Sequence, residues 1–168
     1  GKWIVNGEKA DKVIYCGNIK QLPSLLSFSS INIDSYIESI DKLEFHGTTS
    51  VFCEVEKNPY SWIYMPSRNH DSHRIICTGN FAESNNAEGK MTATIEFTDS
   101  MSKEDILSNL SRIPYSPKYL THHYEMYTYP IQSATTREMI DDLKRRMEPK
   151  GLYLLGRFAE WEYYNMDV

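Results

Sequence analysis

The sequence lacks the features that mark a membrane span, a disulfide framework or a nucleic-acid binder. No apolar run reaches the roughly 18 residues that a membrane-spanning helix needs. Its three cysteines, Cys16, Cys53 and Cys77, are far apart, and each lies in an apolar run, so we expect buried free thiols. The net charge of -5 argues against a nucleic-acid partner, because phosphate binding needs clustered Lys and Arg. These absences favour a cytoplasmic globular protein.

Signatures of common catalytic and cofactor sites are also missing. The chain has no Gly-x-Ser-x-Gly elbow, no phosphate loop and no Gly-x-Gly-x-x-Gly turn of the kind that binds dinucleotides. His122 and His123 are adjacent in a strand-like stretch, so their rings face opposite sides and cannot share a metal. No metal site is therefore predicted.

The composition and the residue patterns that are present indicate one compact domain. Of the 168 residues, 40% are hydrophobic and 12% aromatic, which is enough to bury a core. Strands are predicted at 3–5, 12–16, 48–56, 61–65, 73–78, 91–97, 124–129 and 152–155, and helices near 19–26 and 33–43 and after the capping-box residues Ser102 and Thr135. The turn signal Asn6-Gly7 is expected to join the first two strands. Several strands and about four helices indicate an α+β fold with a mostly antiparallel or mixed sheet.

The closing segment, which begins at Gly156, carries the strongest indication of a binding site. It follows an apolar strand and joins a glycine, which permits a sharp bend, to Arg157, whose planar fork suits phosphate or carboxylate. Arg74 is a second candidate for holding an anion, because it enters an apolar strand and has aromatic residues such as Trp62 nearby in sequence. The alternative is that Arg74 is an exposed charge at the end of a strand.

Four segments occur in an order that a known group of enzymes shares. They are residues 10–17 continuing to 22–23, residues 62–64 followed by 73–76, residues 129–131, and residues 156–167. The last segment resembles the closing flavin motif G-R-x-x-x-Y-x-Y-x-D-M, and it is the most specific of the four. Together they resemble the later part of flavin-dependent enzymes of the amine oxidase, protoporphyrinogen oxidase and UDP-galactopyranose mutase type. The resemblance implies the substrate domain of a flavoenzyme, without the N-terminal Rossmann fingerprint.

The resemblance also implies roles for individual residues. Substrate binding, chiefly to phosphate groups, would fall to Arg74, Tyr129, Arg157 and Tyr163. Flavin binding would fall to Gly156, Arg157, Asn165 and Met166. Asn165 departs from the mutase pattern, which has a carboxylate at this position, so it can hydrogen-bond but cannot ionise. No residue is assigned a catalytic role.

The implied function is that of the substrate-binding portion of an FAD-dependent oxidoreductase or UDP-galactopyranose mutase-like enzyme. Its substrate would be a nucleotide sugar or a precursor of lipopolysaccharide or capsule. Residues 1–27 and 145–168 would be returning pieces of the FAD domain, and residues 28–144 the substrate domain. The rest of the same chain would be the partner that supplies the dinucleotide fingerprint, so the 168 residues alone are expected to bind no FAD and to be inactive.

The sequence is also compatible with two other functions. One is an amine-oxidase-like flavoprotein with a non-nucleotide substrate. The other, from a different class, is a non-catalytic α+β binding module.

Overall fold

The computed structural model describes residues 2–26, 29–66, 68–87 and 89–165. Contacts divide the chain into two compact units, of which unit 1 comprises Gly1–Phe45 with Tyr129–Val168 and unit 2 comprises His46–Thr128. The strands are β1 (Trp3–Val5), β2 (Glu8–Ala10), β3 (Val13–Tyr15), β4 (Phe45–Val55), β5 (Trp62–Tyr64), β6 (Ser72–Ile76), β7 (Met91–Thr98), β8 (Lys118–Pro130) and β9 (Leu152–Leu154). The α-helices are α1 (Leu22–Leu25), α2 (Ile37–Asp41), α3 (Lys103–Leu110) and α4 (Ala134–Met147).

The predicted α+β class is confirmed by antiparallel strand pairs and by the four helices of the described residues. The sequence also predicts that residues 1–27 and 145–168 belong to the FAD domain of a larger flavoenzyme and residues 28–144 to its substrate domain. That division stays a prediction.

The turn at Asn6-Gly7 joins a different pair of strands from the pair predicted. Both turn residues have positive φ, 50° and 88°, which suits a two-residue hairpin, and β1 therefore pairs with β2 directly after the turn. The predicted partner, β3, instead pairs in parallel with β9 from the other end of the chain. The prediction was wrong because a two-residue turn fixes its partner strand within a few positions, whereas a parallel pair is formed between distant segments.

Helix α4 supplies one wall of the core of unit 1. Ile140, Leu143 and Met147 recur at helical spacing and are fully buried against residues such as Ile19. The capping box of α4 begins two residues earlier than predicted. It is formed by Ser133 and Thr136, whereas the predicted N-cap is Thr135. Position 133 prevails because its backbone N–H and side chain both bond to the Thr136 hydroxyl, at 3.1 and 2.8 Å.

Lys20 holds the carboxyl end of α2. Its Nζ donates to the carbonyl oxygens of Ile40, Asp41 and Leu43, at 3.0, 2.7 and 2.9 Å. The last carbonyls of a helix lack intrahelical donors, and the Lys20 ammonium supplies one here; the Ile40 carbonyl also accepts from the backbone N–H of Leu43 at 3.2 Å. Burial lowers the pKa of Lys20, and the nearby charge of Asp41 only partly opposes this.

We expect Lys20→Met to lower the free energy of unfolding by about 2 kcal/mol, because three carbonyl groups lose a charged donor. Urea unfolding followed by circular dichroism measures the change. The exposed Lys9 of β2 provides the control, since Lys9→Met should change stability by less than about 0.5 kcal/mol. Equal effects of the two substitutions would contradict the assigned role.

Unit 2 is built on a sheet of strand order β5-β6-β7-β4-β8. Ile95 in β7 lies opposite Val51 in β4 and Ile75 in β6, and all three side chains are fully buried. Together with Ile106 of α3 they belong to the core of this unit. The predicted cap of α3 is confirmed, because the Ser102 hydroxyl accepts from the Asp105 backbone N–H at 3.1 Å. Strand β8 is longer than the predicted 124–129.

The cysteines are only partly as predicted. Cys53 and Cys77 are buried, and burial raises the pKa of the Cys53 thiol to about 12. Cys16 is exposed, because it continues the alternation of β3 on the side that also leaves Ile14 exposed. Across the described residues, no helix is long and apolar enough to span a membrane, and no three His, Cys, Asp or Glu side chains form a group suited to a metal ion.

Candidate functional site

The closing segment, residues 156–165, folds into a series of turns after β9. Gly156 has a φ of 97°, a conformation that favours glycine, and apart from its two chain neighbours no described residue has a heavy atom within 4 Å of the place a Cβ would occupy. Its carbonyl accepts from the N–H of Glu160 at 2.9 Å, and the Arg157 carbonyl accepts from the N–H of Glu162 at 2.9 Å. The backbone therefore bends at the glycine and holds its turn by its own hydrogen bonds.

Trp161 anchors this segment in the core of unit 1. Its side chain is fully buried, and Nε1 donates to the carbonyl of Ile131 at 3.1 Å. Its ring meets Phe45 and Phe158 edge-on, with centroids 6.5 and 5.4 Å away. The φ of 49° at Trp161 is unfavourable for a bulky residue, so this burial offsets local backbone strain.

Three of the four predicted substrate-binding residues meet in unit 1, and we call them the Arg157 cluster: Arg157, Tyr129 and Tyr163. Tyr129 lies near the end of β8, and its ring stacks on that of Tyr163 with centroids 5.6 Å apart and an interplanar angle of 14°. The centre of the Arg157 guanidinium lies 5.5 and 5.3 Å from these two ring centroids. Nε and Nη2 of Arg157 also donate to the carbonyl of Tyr164, Nε at 3.0 Å.

The Arg157 cluster combines a fixed positive charge with flat aromatic surface. Guanidinium groups that lie over aromatic rings are stabilised there by the ring quadrupole, and they keep their charge at any physiological pH. Tyr163 is 56% exposed, so the cluster lies at the surface of its unit. Such a group can attract an anion and can stack on a planar ring.

Two glutamates that were not predicted from the sequence tie the closing segment to α4. Glu160 accepts from Lys144 Nζ at 2.7 Å, and Glu162 accepts from Arg137 Nη1 at 2.6 Å. The two cations are about two helical turns apart and so lie on one face of α4. In the sequence, the two glutamates stand on either side of Trp161, which is buried. This Glu-Trp-Glu pattern, together with Arg137 and Lys144 seven residues apart in a predicted helix, is the sequence feature that could have indicated the two ion pairs.

Arg74 lies in unit 2, within an ion pair on β6. Its Nε donates to Oε2 of Glu96, and its guanidinium lies 4.8 Å from the centroid of the Trp62 ring. Nε2 of His73 lies 3.5 Å from the same carboxylate oxygen. Successive residues reach one carboxylate because the pairing of β6 with β7 is irregular between Ser72 and Arg74.

The side chains of Arg74 and Glu96 are only 17% and 11% exposed, so the alternative of an exposed strand-end charge is wrong. Arg74 belongs to unit 2 and the Arg157 cluster to unit 1. The substrate role assigned to Arg74 stays a prediction.

The remaining predicted residues of the flavin group lie at the end of the segment. Asn165 is exposed, and Met166 lies outside the described residues. The ligand roles assigned to Gly156, Arg157 and Asn165 stay predictions, as do those of the substrate group.

Glu96 gives unit 2 a pH dependence of known sign. Burial by itself would raise the pKa of Glu96, but the hydrogen bonds and charges of His73 and Arg74 outweigh it and lower the pKa. A carboxyl group with a lowered pKa in the folded state stabilises the protein above its unfolded pKa. That contribution is lost as the pH falls through the folded pKa.

We expect Glu96→Gln to cost about 2 kcal/mol at pH 7 and to flatten the loss of stability in acid, because a partly buried arginine loses its counter-charge. Urea unfolding at several pH values between 7 and 3 measures both effects. Glu54→Gln is the matched control in the same sheet, since Glu54 pairs with the more exposed Lys90, and it should cost at most about 1 kcal/mol. If the free energy of unfolding falls equally steeply with decreasing pH in wild type and in Glu96→Gln, the lowered pKa of Glu96 does not contribute to stability as stated.

Comparison with known proteins adds the fold to which these residues belong. No protein-family model and no curated protein sequence matches the chain. A crystal structure of reduced UDP-galactopyranose mutase superposes with a TM-score of 0.76 at 19% identity, over 94% of this chain and 38% of that chain. A protein assigned as a protoporphyrinogen oxidase, from Exiguobacterium sp. 255-15, gives a TM-score of 0.61 at 14% identity, over 89% of this chain and 37% of that chain.

An oxidoreductase from Methanosarcina mazei gives a TM-score of 0.56 at 12% identity, over 91% of this chain and 39% of that chain. The shared fold is that of one part of these enzymes. This chain spans less than two fifths of the length of each of the three. The fold expected from the resemblance is confirmed, and identities this low show the fold alone.

Proposed function

We propose that this chain is the substrate-binding part of an FAD-dependent oxidoreductase or mutase-like enzyme that acts on a nucleotide sugar. The observation that carries the proposal is the Arg157 cluster. Its three members come from β8 and from the closing segment, and the sequence resemblance assigns each of them to ligand binding. Similarity of fold to UDP-galactopyranose mutase supports the same function.

Within this function the cluster would bind the diphosphate of the substrate. The guanidinium of Arg157 supplies the positive charge, and the hydroxyls of Tyr129 and Tyr163 are donors that suit phosphate oxygens. Stacking holds the two rings together beside the guanidinium. Arg74, which lies in unit 2 and is paired with Glu96, keeps its assignment to substrate binding as a separate part of the proposal.

The residues proposed to hold FAD fit such a group in chemical type. Gly156 leaves open space where a side chain would stand, which allows a large planar group to approach the backbone. Arg157 supplies a charge, and the exposed amide of Asn165 can both donate and accept hydrogen bonds. FAD, when bound, supplies the redox chemistry of the enzyme. The part of this chain is to bind and orient the groups around it.

The partner proposed for this chain is the remainder of a longer chain that carries the dinucleotide fingerprint. Parallel strands normally belong to larger sheets that are covered on both faces, whereas β3 and β9 form a two-stranded pair. Ile14, in the middle of β3, is 61% exposed, as expected for a strand that a further segment covers. A cytoplasmic location and a role in polysaccharide precursor synthesis belong to the same proposal.

The decisive experiment uses a longer native protein that contains these residues. It is purified, its absorption spectrum is recorded, and any flavin released on denaturation is identified by chromatography. UDP-galactose is then titrated while flavin fluorescence is followed. Bound FAD together with a saturable response to UDP-galactose is the expected result.

The other outcomes separate the competing functions. Bound FAD with no response to UDP-galactose or other UDP-sugars favours an amine-oxidase-like enzyme with a non-nucleotide substrate. Absence of FAD, even after incubation with an excess of it, favours a non-catalytic binding module. For the 168 residues alone we expect no FAD to remain bound after gel filtration, and a yellow protein peak would contradict that expectation.

A further inference from the structure

The carboxylate of Glu162 is the meeting point of three donors in unit 1. Oε1 accepts from Gln132 Nε2 at 2.6 Å and from the backbone N–H of Tyr163 at 3.1 Å, and Oε2 accepts from Arg137 Nη1 at 2.6 Å. Burial by itself would raise the pKa of Glu162, but the bonds from Gln132 and Arg137 and the Tyr163 backbone outweigh it and lower the pKa. The carboxylate is thus ionised and fixed at neutral pH.

The contacts of Glu162 lead directly to the Arg157 cluster. Its side chain holds the N–H of Tyr163, and its own carbonyl accepts from the N–H of Tyr164 at 3.0 Å. The carbonyl of Tyr164 in turn accepts from two nitrogens of Arg157. The backbone N–H of Glu162 closes the circuit by donating to the carbonyl of Arg157 at 2.9 Å. The positions of the Tyr163 ring and of the guanidinium therefore both depend on the backbone that Glu162 fixes.

Helix α4 supplies the rigid side of this connection. Arg137 lies in the first turn of the helix, and it also donates through Nη2 to the carbonyl of Glu160 at 3.0 Å. Gln132, just before the helix cap, donates to the carbonyl of Trp161 at 3.0 Å. The start of α4 thus contacts the closing segment at successive positions, and Glu162 is the position next to the cluster.

We infer that Glu162 is a positioning residue for the Arg157 cluster, acting through its contacts with Arg137 and Gln132. The inference rests on the proposed function, since it concerns the site at which the diphosphate would bind. Glu162 contacts the backbone of Tyr163 and, through Tyr164, the guanidinium of Arg157, so it acts on the cluster from behind its backbone. Its task is to keep the stacked tyrosines and the guanidinium in register with each other.

The position of Glu162 separates this role from a general contribution to folding. Its side chain is 26% exposed, whereas the adjacent Trp161 is fully buried and carries the packing of the segment. Loss of the Glu162 charge therefore leaves the core contacts of Trp161 intact. The expected consequence is a displaced cluster in a protein that remains folded.

The test uses the full-length protein loaded with its flavin, with UDP as the probe and titration calorimetry as the measurement. Glu162→Gln and Arg137→Met are each expected to raise the Kd for UDP at least tenfold. The double variant should weaken binding by less than the product of the two single effects, because both changes remove the same ion pair between Arg137 and Glu162. The control is Glu38→Gln, which removes an exposed partner of Lys42 in the same unit and should leave the Kd unchanged. Additive effects, or a Kd unchanged in Glu162→Gln, overturn the inference.

A second measurement needs no nucleotide. Tyr129 is partly buried and stacks on Tyr163, so its nitration by tetranitromethane, followed by mass spectrometry, reports whether the stack is kept. Glu162→Gln should increase the nitration rate of Tyr129 several-fold without a comparable change at the exposed Tyr64. An unchanged rate overturns the inference even if the wild-type protein binds no UDP. Absence of UDP binding by wild type, with the predicted nitration change, refutes the nucleotide-sugar function and leaves the positioning role standing. If Glu162→Gln does not fold, Arg137→Met serves in both measurements.

Discussion

Replacement of Trp161 by alanine is expected to lower the free energy of unfolding by about 3 to 5 kcal/mol, the range found for loss of a large buried aromatic side chain. The indole is fully buried between Phe45 and Phe158, and its N–H bonds to the Ile131 carbonyl. The change opens a cavity and removes a donor from a buried acceptor. Chemical denaturation followed by far-ultraviolet circular dichroism gives the free energy.

Two further variants separate the contributions to this effect. Trp161→Phe keeps an aromatic ring but loses the indole N–H, so we expect a cost of about 1 to 2 kcal/mol. Trp62→Ala, on the exposed face of β5, removes a ring that is 42% exposed and should cost about 1 kcal/mol or less. A loss in Trp161→Ala no greater than that in Trp62→Ala would mean that the closing segment is not anchored as the structure indicates.

Arg157→Ala is expected to weaken binding of UDP to the full-length flavoenzyme by about 2 to 3 kcal/mol, which corresponds to a rise in Kd of about 30- to 150-fold. The substitution removes the guanidinium that lies over both rings of the cluster, and with it the charge proposed to face the diphosphate. Titration calorimetry measures the Kd, and flavin absorbance checks that the cofactor is retained.

Arg145→Ala is the matched control for this substitution. Arg145 is on the same unit, in α4, and its side chain is 69% exposed beside Asp142. Its removal should leave the Kd within about a factor of two of wild type, because exposed ion pairs contribute little. Equal affinities of the two variants would show that Arg157 has no part in ligand binding.

The difference between Glu162 and Arg157 is informative for the proposed site. Arg157 offers the charge itself, whereas Glu162 acts on where that charge is held. Arg157→Ala should therefore weaken UDP binding even when the tyrosine stack is kept, and Glu162→Gln should weaken it by disturbing the stack. Nitration of Tyr129 distinguishes the two causes.

Local features of the fold were predictable because their causes are local. The cap at Ser102 depends on a hydroxyl and an N–H three residues apart, and the hydrophobic positions of α4 follow the helical period. The same sequence did not identify the partner of β3, because a parallel strand pair depends on which distant segment folds beside it. The sequence also placed the N-cap of α4 two residues late. Two overlapping pairs, Ser133 with Thr136 and Thr135 with Glu138, could each form a capping box at this helix end.

By itself, the sequence determined the fold class, the glycine that the bend at Gly156 requires, and the residue types of the proposed phosphate-binding site. Only the tertiary structure decided that Tyr129 stacks on Tyr163 beside Arg157, that Arg74 is partly buried and paired with Glu96, and that Glu162 connects the closing segment to α4. The physical reason is that residue chemistry and periodicity are properties of short segments. Contacts between segments depend instead on how the core packs around Trp161 and on the irregular pairing of β6 with β7. Neither can be predicted from the residues of a short segment.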